Sequence, residues 1–176
     1  MITQDKIFCA NAGDSRGVLN CGGEAIGLSE DHKPDNPEEI KRINKAGHTV
    51  EDARVDGNLA LSRAFGDFQY KDGKGLDPAD QAVSCYPDVS ERERSPNDKF
   101  IVLACDGIWD CMTNERCVEY ICDLTSKSKP KVGTCHKPVE EMLDSILAPD
   151  TSDGIGTDNM TAILIWFHQN NKWIWF

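Results

Sequence analysis

Two unbroken runs of apolar residues constrain the fold of this chain more than any other feature of its sequence. The first run, Phe100–Cys105, is preceded by charged residues and followed by Asp106-Gly107. The second run is Thr161–Phe167. Continuous apolar runs of this length are typical of strands that are covered on both faces. We therefore predict two core strands, each buried on both faces.

Turn and helix signals place further elements around these strands. Ile7–Ala12 and Val18-Leu19 flank a glycine-rich turn, which predicts a hairpin. Helices are predicted after Thr113 and from Pro138, because apolar residues recur there at helical spacing. Strands and helices do not alternate regularly, so we predict an α+β fold in which helices cover the sheets. The length of 176 residues corresponds to about one domain.

One helix has an especially clear start. Asn36 is expected to be its N-cap, Pro37 its first residue, and Glu39 the residue that completes a capping box. Gly47 is expected to end this helix. The segment Leu59–Phe65 fits a short helix or a turn, and its periodicity does not decide between them.

The charge balance narrows the classes of partner. The chain has 19 lysines and arginines against 30 aspartates and glutamates, a net charge of -11. Nucleic acid and anionic membranes repel such a chain, so we expect neither as a partner. An excess of carboxylates suits divalent cations instead. No run approaches the roughly 20 apolar residues of a membrane span, and the first residues lack the pattern of a signal peptide.

The cysteines do not form a recognisable disulfide or zinc pattern. The sequence has 8 cysteines but no C-x-x-C pair. Cys9 and Cys105 lie inside apolar runs, which favours buried free thiols in a reducing compartment. We therefore expect an intracellular protein, cytoplasmic, nuclear or both.

Three aspartates lie at the ends of predicted strands. Asp14 lies in the turn of the hairpin, Asp106 directly follows the first core strand, and Asp158 precedes the second. Carboxylates on rigid supports of this kind can hold a hard cation such as Mg²⁺ or Mn²⁺. Each aspartate alone is more typical of an ordinary turn. The residues by themselves therefore indicate an acidic α+β domain in which cation sites and simple turns both remain open.

Five short segments stand out when they are considered together. They are Ala10–Gly17, Asp31–Pro34, Leu59–Asp67, Leu103–Asp110 and Thr157–Thr161. These segments resemble, in the same order, motifs of the metal-dependent protein phosphatases, the PP2C or PPM family. Each motif alone is weak, but five in order over nearly the whole chain make a chance match improbable.

The resemblance implies a Ser/Thr protein phosphatase with an α-β-β-α sandwich, in which two antiparallel sheets pack face to face and helices lie outside. In this family a pair of Mn²⁺ or Mg²⁺ ions holds a bridging water that attacks the phosphorus directly. By motif, Asp106 and Asp158 would ligate one of the paired ions. Asp14 and Asp110, together with Asp106, would match a weaker third-metal site. The implied partners are phosphorylated Ser/Thr proteins, with a role in signalling.

Arg63 lies in a Ser-Arg-Ala motif that the resemblance places near the site. Two roles remain open for this residue. It is either a catalytic residue or one half of a structural ion pair.

One part of the family pattern has no match. Family members carry an N-terminal half with an Asp-Gly-His-Gly-Gly motif, and none of His32, His48, His136 and His168 lies in such a motif. Residues 1–176 are therefore expected to be the C-terminal portion of a phosphatase domain without its N-terminal portion. We expect this portion to be poorly active alone and to self-associate through the surface that the missing half leaves. A non-catalytic binding or regulatory module of the same fold is the alternative.

A serine hydrolase is the other enzyme class that a motif suggests. Gly13-Asp14-Ser15-Arg16-Gly17 matches the G-x-S-x-G pattern. That pattern requires a strand, a strained elbow and then a helix, whereas an extended segment is predicted here after the turn. We therefore do not expect this activity.

Overall fold

The computed structural model of the chain describes residues 1–127, 130–131, 133–150, 152 and 154–167, so that His168 lies outside the described residues. Within these residues the chain forms eight β-strands and four α-helices. The strands are Lys6–Asn11 (β1), Arg16–Cys21 (β2), Glu24–Gly27 (β3), Val50–Glu51 (β4), Arg54–Val55 (β5), Asp88–Glu93 (β6), Asp98–Ala104 (β7) and Ala162–Trp166 (β8). The helices are Pro37–Lys45 (α1), Asp106–Trp109 (α2), Asn114–Lys127 (α3) and Lys137–Ile146 (α4).

The order of these elements confirms the predicted α+β class. The described residues form one four-stranded sheet and two two-stranded sheets. By its internal contacts the chain divides into two compact units. The first unit contains residues 1–9, 16–29 and the described part from residue 91 onward, and the second contains residues 10–15 and 30–90. The four-stranded sheet lies in the first unit.

Both predicted core strands lie in this four-stranded sheet. Its order is β3-β2-β7-β8, and all neighbouring strands are antiparallel. In the β7–β8 pair, Ala104 lies opposite Ala162 and Leu103 lies opposite Ile163. The end of β7 and the start of β8 are therefore side by side.

One face of the sheet packs against α3 and α4. Phe100 and Val102 of β7 are fully buried there, together with Ile121 of α3 and Met142 of α4. Phe100 also stacks on Trp166, with 5.5 Å between the ring centroids. Each large apolar side chain that leaves water contributes about 1.5–3 kcal/mol to folding. This cluster gives the end of β7 a rigid support.

The opposite face of the sheet is only partly covered. Leu19 and Ile101 are buried there with Ile7 of β1. The cross-strand neighbours Leu103 and Ile163 are 36% and 54% exposed. The prediction that both core strands are buried on both faces is therefore wrong at Leu103 of β7 and along the whole of β8, whose side chains are at most partly buried. An apolar run has the same sequence pattern whether or not a second layer covers it.

The predicted hairpin between the first two strands does not form. β1 pairs with β6, whereas β2 pairs with β3 and β7. The chain changes sheets in the connection that holds Asp14, and a hairpin forms one strand later, across Gly22 and Gly23. Both glycines have positive φ angles, +66° and +104°, which suit a tight turn between antiparallel strands. Because strand β2 begins at Arg16, the helix that a serine-hydrolase elbow needs is not formed there.

Helix α1 of the second unit begins at Pro37 and is followed by Gly47, as predicted. Asn36 occupies the N-cap position, but its side chain makes no capping hydrogen bond. Glu39 does not complete a capping box either, since its carboxylate binds Arg63. The capping-box prediction is therefore wrong, because the Glu39 carboxylate forms ion pairs in place of the local hydrogen bond to the helix N-terminus.

The segment Leu59–Phe65 contains no helix. Arg63 instead pairs with Ser84 in a single parallel β-bridge. A residue distant in sequence therefore decides the conformation that local periodicity left open. The short β4–β5 hairpin nearby has no counterpart among the predicted elements.

None of the described helices is long and apolar enough to cross a bilayer. The eight cysteines all lie within the described residues as free thiols, and the predicted burial holds for one of them. Cys117 is buried, and the others are partly exposed.

Candidate functional site

The candidate site lies at one end of the sheet in the first unit, where β7 ends and β8 begins. Asp106 is the first residue of α2, and Asp158 lies in the loop that leads into β8. The backbone N–H of Cys105 donates a hydrogen bond of 3.1 Å to the carbonyl oxygen of Thr161, just beyond both strands. The fold thus brings the Asp106 and Asp158 segments together although they are far apart in sequence.

The two residues that flank Asp106 hold the Asp158 loop close. The Cys105 thiol donates to the carbonyl oxygen of Asn159 at 3.3 Å and accepts from the N–H of Thr161 at 3.2 Å. Gly107 approaches so closely that a Cβ atom on it would lie 2.5 Å from the Asn159 oxygen. A larger residue at this position would push the two segments apart. The Asp-Gly pair is therefore a packing requirement as well as a turn signal.

These segments carry three carboxylates. Asp110 lies one helical turn after Asp106, and its N–H donates to the backbone oxygen of Asp106 at 2.8 Å, so that both residues lie on one side of α2. The half-buried carboxylate of Asp106 accepts from the N–H of Gly107 at 3.0 Å. The exposed carboxylate of Asp158 accepts from the N–H of Asn159 at 2.7 Å. All three predicted residues therefore lie at the same end of the sheet.

The chemistry of these donors fits a hard divalent cation. Carboxylate oxygens are the ligands that Mg²⁺ and Mn²⁺ prefer, and Mg²⁺ usually takes one or two of them together with several waters. Among the residues that the structure describes, no three carboxylate, imidazole or thiol groups converge closely enough to hold a metal ion. The carboxylates of Asp106 and Asp158 are of the chemical type that such a cation binds, and a shared site completed by water or further ligands stays a prediction.

Asp14 belongs to the second unit, in the connection between β1 and β2. Its buried side chain pairs with the ammonium group of Lys33 at 2.5 Å. The backbone beside it is fixed by Gly13, whose N–H donates to Nδ1 of His32 at 3.2 Å. A cation at Asp14 would have to displace or share the Lys33 ammonium. The third-metal role of Asp14 with Asp110 stays a prediction.

Arg63 is the centre of an ion-pair network in the second unit. Its Nη2 lies 2.7 Å from Oε1 of Glu39, and its Nη1 lies 2.7 Å from Oδ1 of Asp88. Nη1 also donates to the carbonyl oxygen of Tyr86 at 3.1 Å. Arg63 therefore forms the structural ion pair that was one of the two roles left open for it. Its catalytic role stays a prediction.

Glu39 is the residue of this network that local sequence patterns missed. The residue is only 3% exposed, and its carboxylate accepts from the Ser62 hydroxyl at 2.5 Å and pairs with Arg42 at 2.7 Å. Burial raises the pKa of Glu39, but the hydrogen bonds from Arg63 and Ser62 and the charge of Arg42 outweigh it and lower the pKa to about 2. Nothing in the sequence distinguishes this glutamate from one on a helix surface.

We expect the free energy of unfolding to decrease as the pH falls from about 4.5 to about 2. The pKa of Glu39 is about 2 in the folded chain against an ordinary value of 4.5, so protonation in this window favours the unfolded state. The contribution of Glu39 is fully present above this window and amounts to about 3 kcal/mol. Urea unfolding at a series of pH values measures this contribution to the free energy of unfolding. The Glu39→Gln variant should lose much of this pH dependence, and an unchanged slope in that variant would contradict the assignment.

A comparison with known protein families finds a match that covers most of the candidate site residues. The family model described as Protein phosphatase 2C matches residues 1–155. This range includes Asp14, Arg63, Asp106 and Asp110, and Asp158 follows just after it. The chain belongs to the protein phosphatase 2C family. The resemblance that the motif order indicated is thereby confirmed at the level of the family.

Curated proteins and solved structures of phosphatases are similar over most of this chain. Probable protein phosphatase 2C 3 of Paramecium tetraurelia is 43% identical over 169 residues, which cover 96% of this chain and 56% of that protein. A crystal structure of a phosphatase from Toxoplasma gondii has 34% identity and a TM-score of 0.78, and the match covers 93% of this chain and 49% of that one. The crystal structure of serine-threonine phosphatase 2C from Toxoplasma gondii has 26% identity and a TM-score of 0.69, covering 94% and 56%. The chain thus spans 56% or less of the length of each of these relatives.

Proposed function

We propose that this chain is the C-terminal portion of the catalytic domain of a metal-dependent protein serine/threonine phosphatase. One observation carries the proposal: in a chain of the protein phosphatase 2C family, the segments of Asp106 and Asp158 lie side by side at the end of two core strands. The proposed reaction is hydrolysis of a phosphate monoester on a phosphorylated Ser/Thr protein by water.

In this proposal Asp106 and Asp158 hold a divalent cation, Mg²⁺ or Mn²⁺, which is one of a pair in the complete domain. A bound cation of this kind lowers the pKa of a coordinated water and neutralises phosphate charge. Cys105 and Gly107 keep the two carboxylate-bearing segments in contact. Asp110 would contribute to the weaker third site from the same side of α2 as Asp106.

We further propose that Arg63 acts by positioning its neighbours. Its guanidinium is occupied by Glu39, Asp88 and the backbone of Tyr86, so a phosphate contact would require it to give up one of these bonds. Its side chain is 13% exposed, which suits a residue that holds two segments together.

The isolated chain is expected to hydrolyse a generic aryl phosphate very slowly, at least about a thousandfold below a complete relative, because Asp106 and Asp158 alone cannot hold a pair of ions. The assay uses Mn²⁺ at a saturating concentration, with the Asp106→Asn variant as a blank. Turnover comparable to that of a complete phosphatase would contradict this expectation.

A non-catalytic binding or regulatory module is the second candidate function. The observation that favours it is that the described residues do not bring three metal-ligating groups together. Titration with Mn²⁺ separates the two candidates. A phosphatase portion should bind the ion with an affinity that Asp158→Asn lowers, whereas a module without metal chemistry should show no such dependence.

The chain is also expected to self-associate. Leu103 and Ile163 form an exposed apolar strip on the sheet, and burying such surface is favourable by about 25 cal/mol per Å². Ile163→Lys should shift the chain toward the monomer in sedimentation velocity experiments, since a lysine on this strip opposes association. Leu147→Lys replaces another exposed apolar residue, outside the sheet, and is the matched control. A wild-type chain that is monomeric at high concentration would contradict the expectation.

A further inference from the structure

Three aromatic residues of the second unit are highly exposed. Phe65 is 85% exposed, Phe68 is 80% exposed and Tyr86 is 61% exposed. Single exposed apolar side chains are ordinary, but these three together present roughly 400 Å² of mostly apolar surface. We call these three residues the aromatic patch.

The members of the aromatic patch lie on two segments that run side by side. Arg63 and Ser84 form a parallel bridge, and the N–H of Ala64 donates to the carbonyl oxygen of Ser84 at 3.0 Å. Phe65 and Tyr86 are each two residues beyond this bridge. The guanidinium of Arg63 also binds the carbonyl oxygen of Tyr86, at 3.1 Å. The patch is therefore supported by the buried ion-pair network.

The loop that carries the two phenylalanines is held in one conformation. The ammonium group of Lys71 donates to the carbonyl oxygen of Ala64 at 2.7 Å and to that of Gly66. The same ammonium lies 5.9 Å from the centre of the Phe68 ring. Tyr70, which ends the short 3-10 helix beginning at Phe68, is buried and anchors the loop. A surface fixed in this way loses little conformational entropy when it binds a partner.

The charges around the patch favour a cationic partner. The segment from residue 64 to residue 80 contains four aspartates against Lys71 and Lys74. The ammonium of Lys71 is engaged by backbone carbonyls, and the guanidinium of Arg63 is engaged by Glu39 and Asp88. Of the four aspartates, Asp80 pairs with Lys45, whereas the carboxylate of Asp72, four residues after Phe68, is 76% exposed and lies 4.0 Å from Nε2 of His48.

We propose that the aromatic patch is a docking surface for a peptide segment of the substrate that combines lysine or arginine with apolar side chains. The rings would cover the apolar side chains, and the neighbouring aspartates would attract the cationic ones. The assignment of this peptide to a substrate rests on the proposed phosphatase function. Binding of the peptide by the patch does not require metal or catalysis.

The binding test uses the chain itself and a fluorescent, unphosphorylated peptide with arginines and leucines around a central serine, measured by anisotropy in the presence of EDTA. The double variant Phe65→Ala, Phe68→Ala should weaken binding about tenfold or more. Leu147→Ala removes an exposed apolar side chain of the first unit and should leave affinity within about twofold. Added salt should weaken binding, as charge attraction requires.

Three results would overturn the docking proposal. They are unchanged affinity in the double variant, equal binding of a peptide in which glutamates replace the arginines, and conversion of an oligomer to a monomer by the double variant. In a complete domain containing this chain, the double variant should raise KM for the phosphorylated peptide and leave kcat for an aryl phosphate unchanged. A complete domain that binds the peptide through the patch but does not hydrolyse its phosphate would overturn the phosphatase function and support the docking surface alone.

Discussion

Replacing Asp106 by asparagine is expected to lower the phosphatase activity of a complete domain that contains this chain by about a thousandfold or more. Asparagine keeps the shape of the side chain and can still accept from the N–H of Gly107, so the fold should persist. In the proposed mechanism it removes the negative charge with which Asp106 would hold a divalent cation, and the activation of water would depend on that cation. Steady-state turnover of a phosphopeptide should show the loss of activity, and Mn²⁺ titration by calorimetry should show the loss of metal binding in the same variant.

Two further variants make this result specific. Asp144→Asn changes an exposed carboxylate on α4 and should leave turnover unchanged. Asp14→Asn should have a much smaller effect than Asp106→Asn and should mainly alter the dependence on metal concentration, since Lys33 already neutralises Asp14. Equal losses in the Asp14 and Asp106 variants would contradict the division into a main and a peripheral metal site.

Replacing Glu39 by alanine is expected to lower the free energy of unfolding by about 3–5 kcal/mol. The change leaves the guanidinium groups of Arg42 and Arg63 without the carboxylate that lies 2.7 Å from each of them. It also leaves the buried Ser62 hydroxyl without one of its partners. Because whole domains are stable by only about 5–15 kcal/mol, this loss should be visible in urea unfolding and as a lower Tm.

The neighbouring residue provides the matched control. Glu38 lies on the same turn of α1, but its side chain is 80% exposed and pairs with Lys41 at the surface. Surface pairs of this kind contribute about 0–1 kcal/mol, so Glu38→Ala should have a small effect. A Glu39 variant no less stable than the Glu38 variant would show that the network contributes little to folding.

Much of the candidate site follows from local sequence. The apolar runs that become β7 and β8 and the aspartates that flank them are all recognisable without coordinates, because strand formation and turn chemistry act over a few residues. That Asp106 and Asp158 share one metal site was predicted only from the resemblance to a protein family. The tertiary structure adds the physical contacts behind the adjacency of their segments, which are the hydrogen bonds of the Cys105 thiol and the close approach of Gly107 to Asn159.

Other features depend on residues that local patterns cannot relate to one another. Lys33, the partner of Asp14, and Arg63, one partner of Glu39, lie in other segments, so the sequence placed Asp14 in a hairpin and Glu39 in a capping box. The exposed strip at Leu103 and Ile163 likewise depends on what covers the sheet. Sequence alone thus determined which segments form strands and helices, where acidic residues follow them, and to which family their motifs belong. Only the tertiary structure decided which charges are paired and which apolar surfaces are open, because pairing and burial depend on contacts between residues that are distant along the chain.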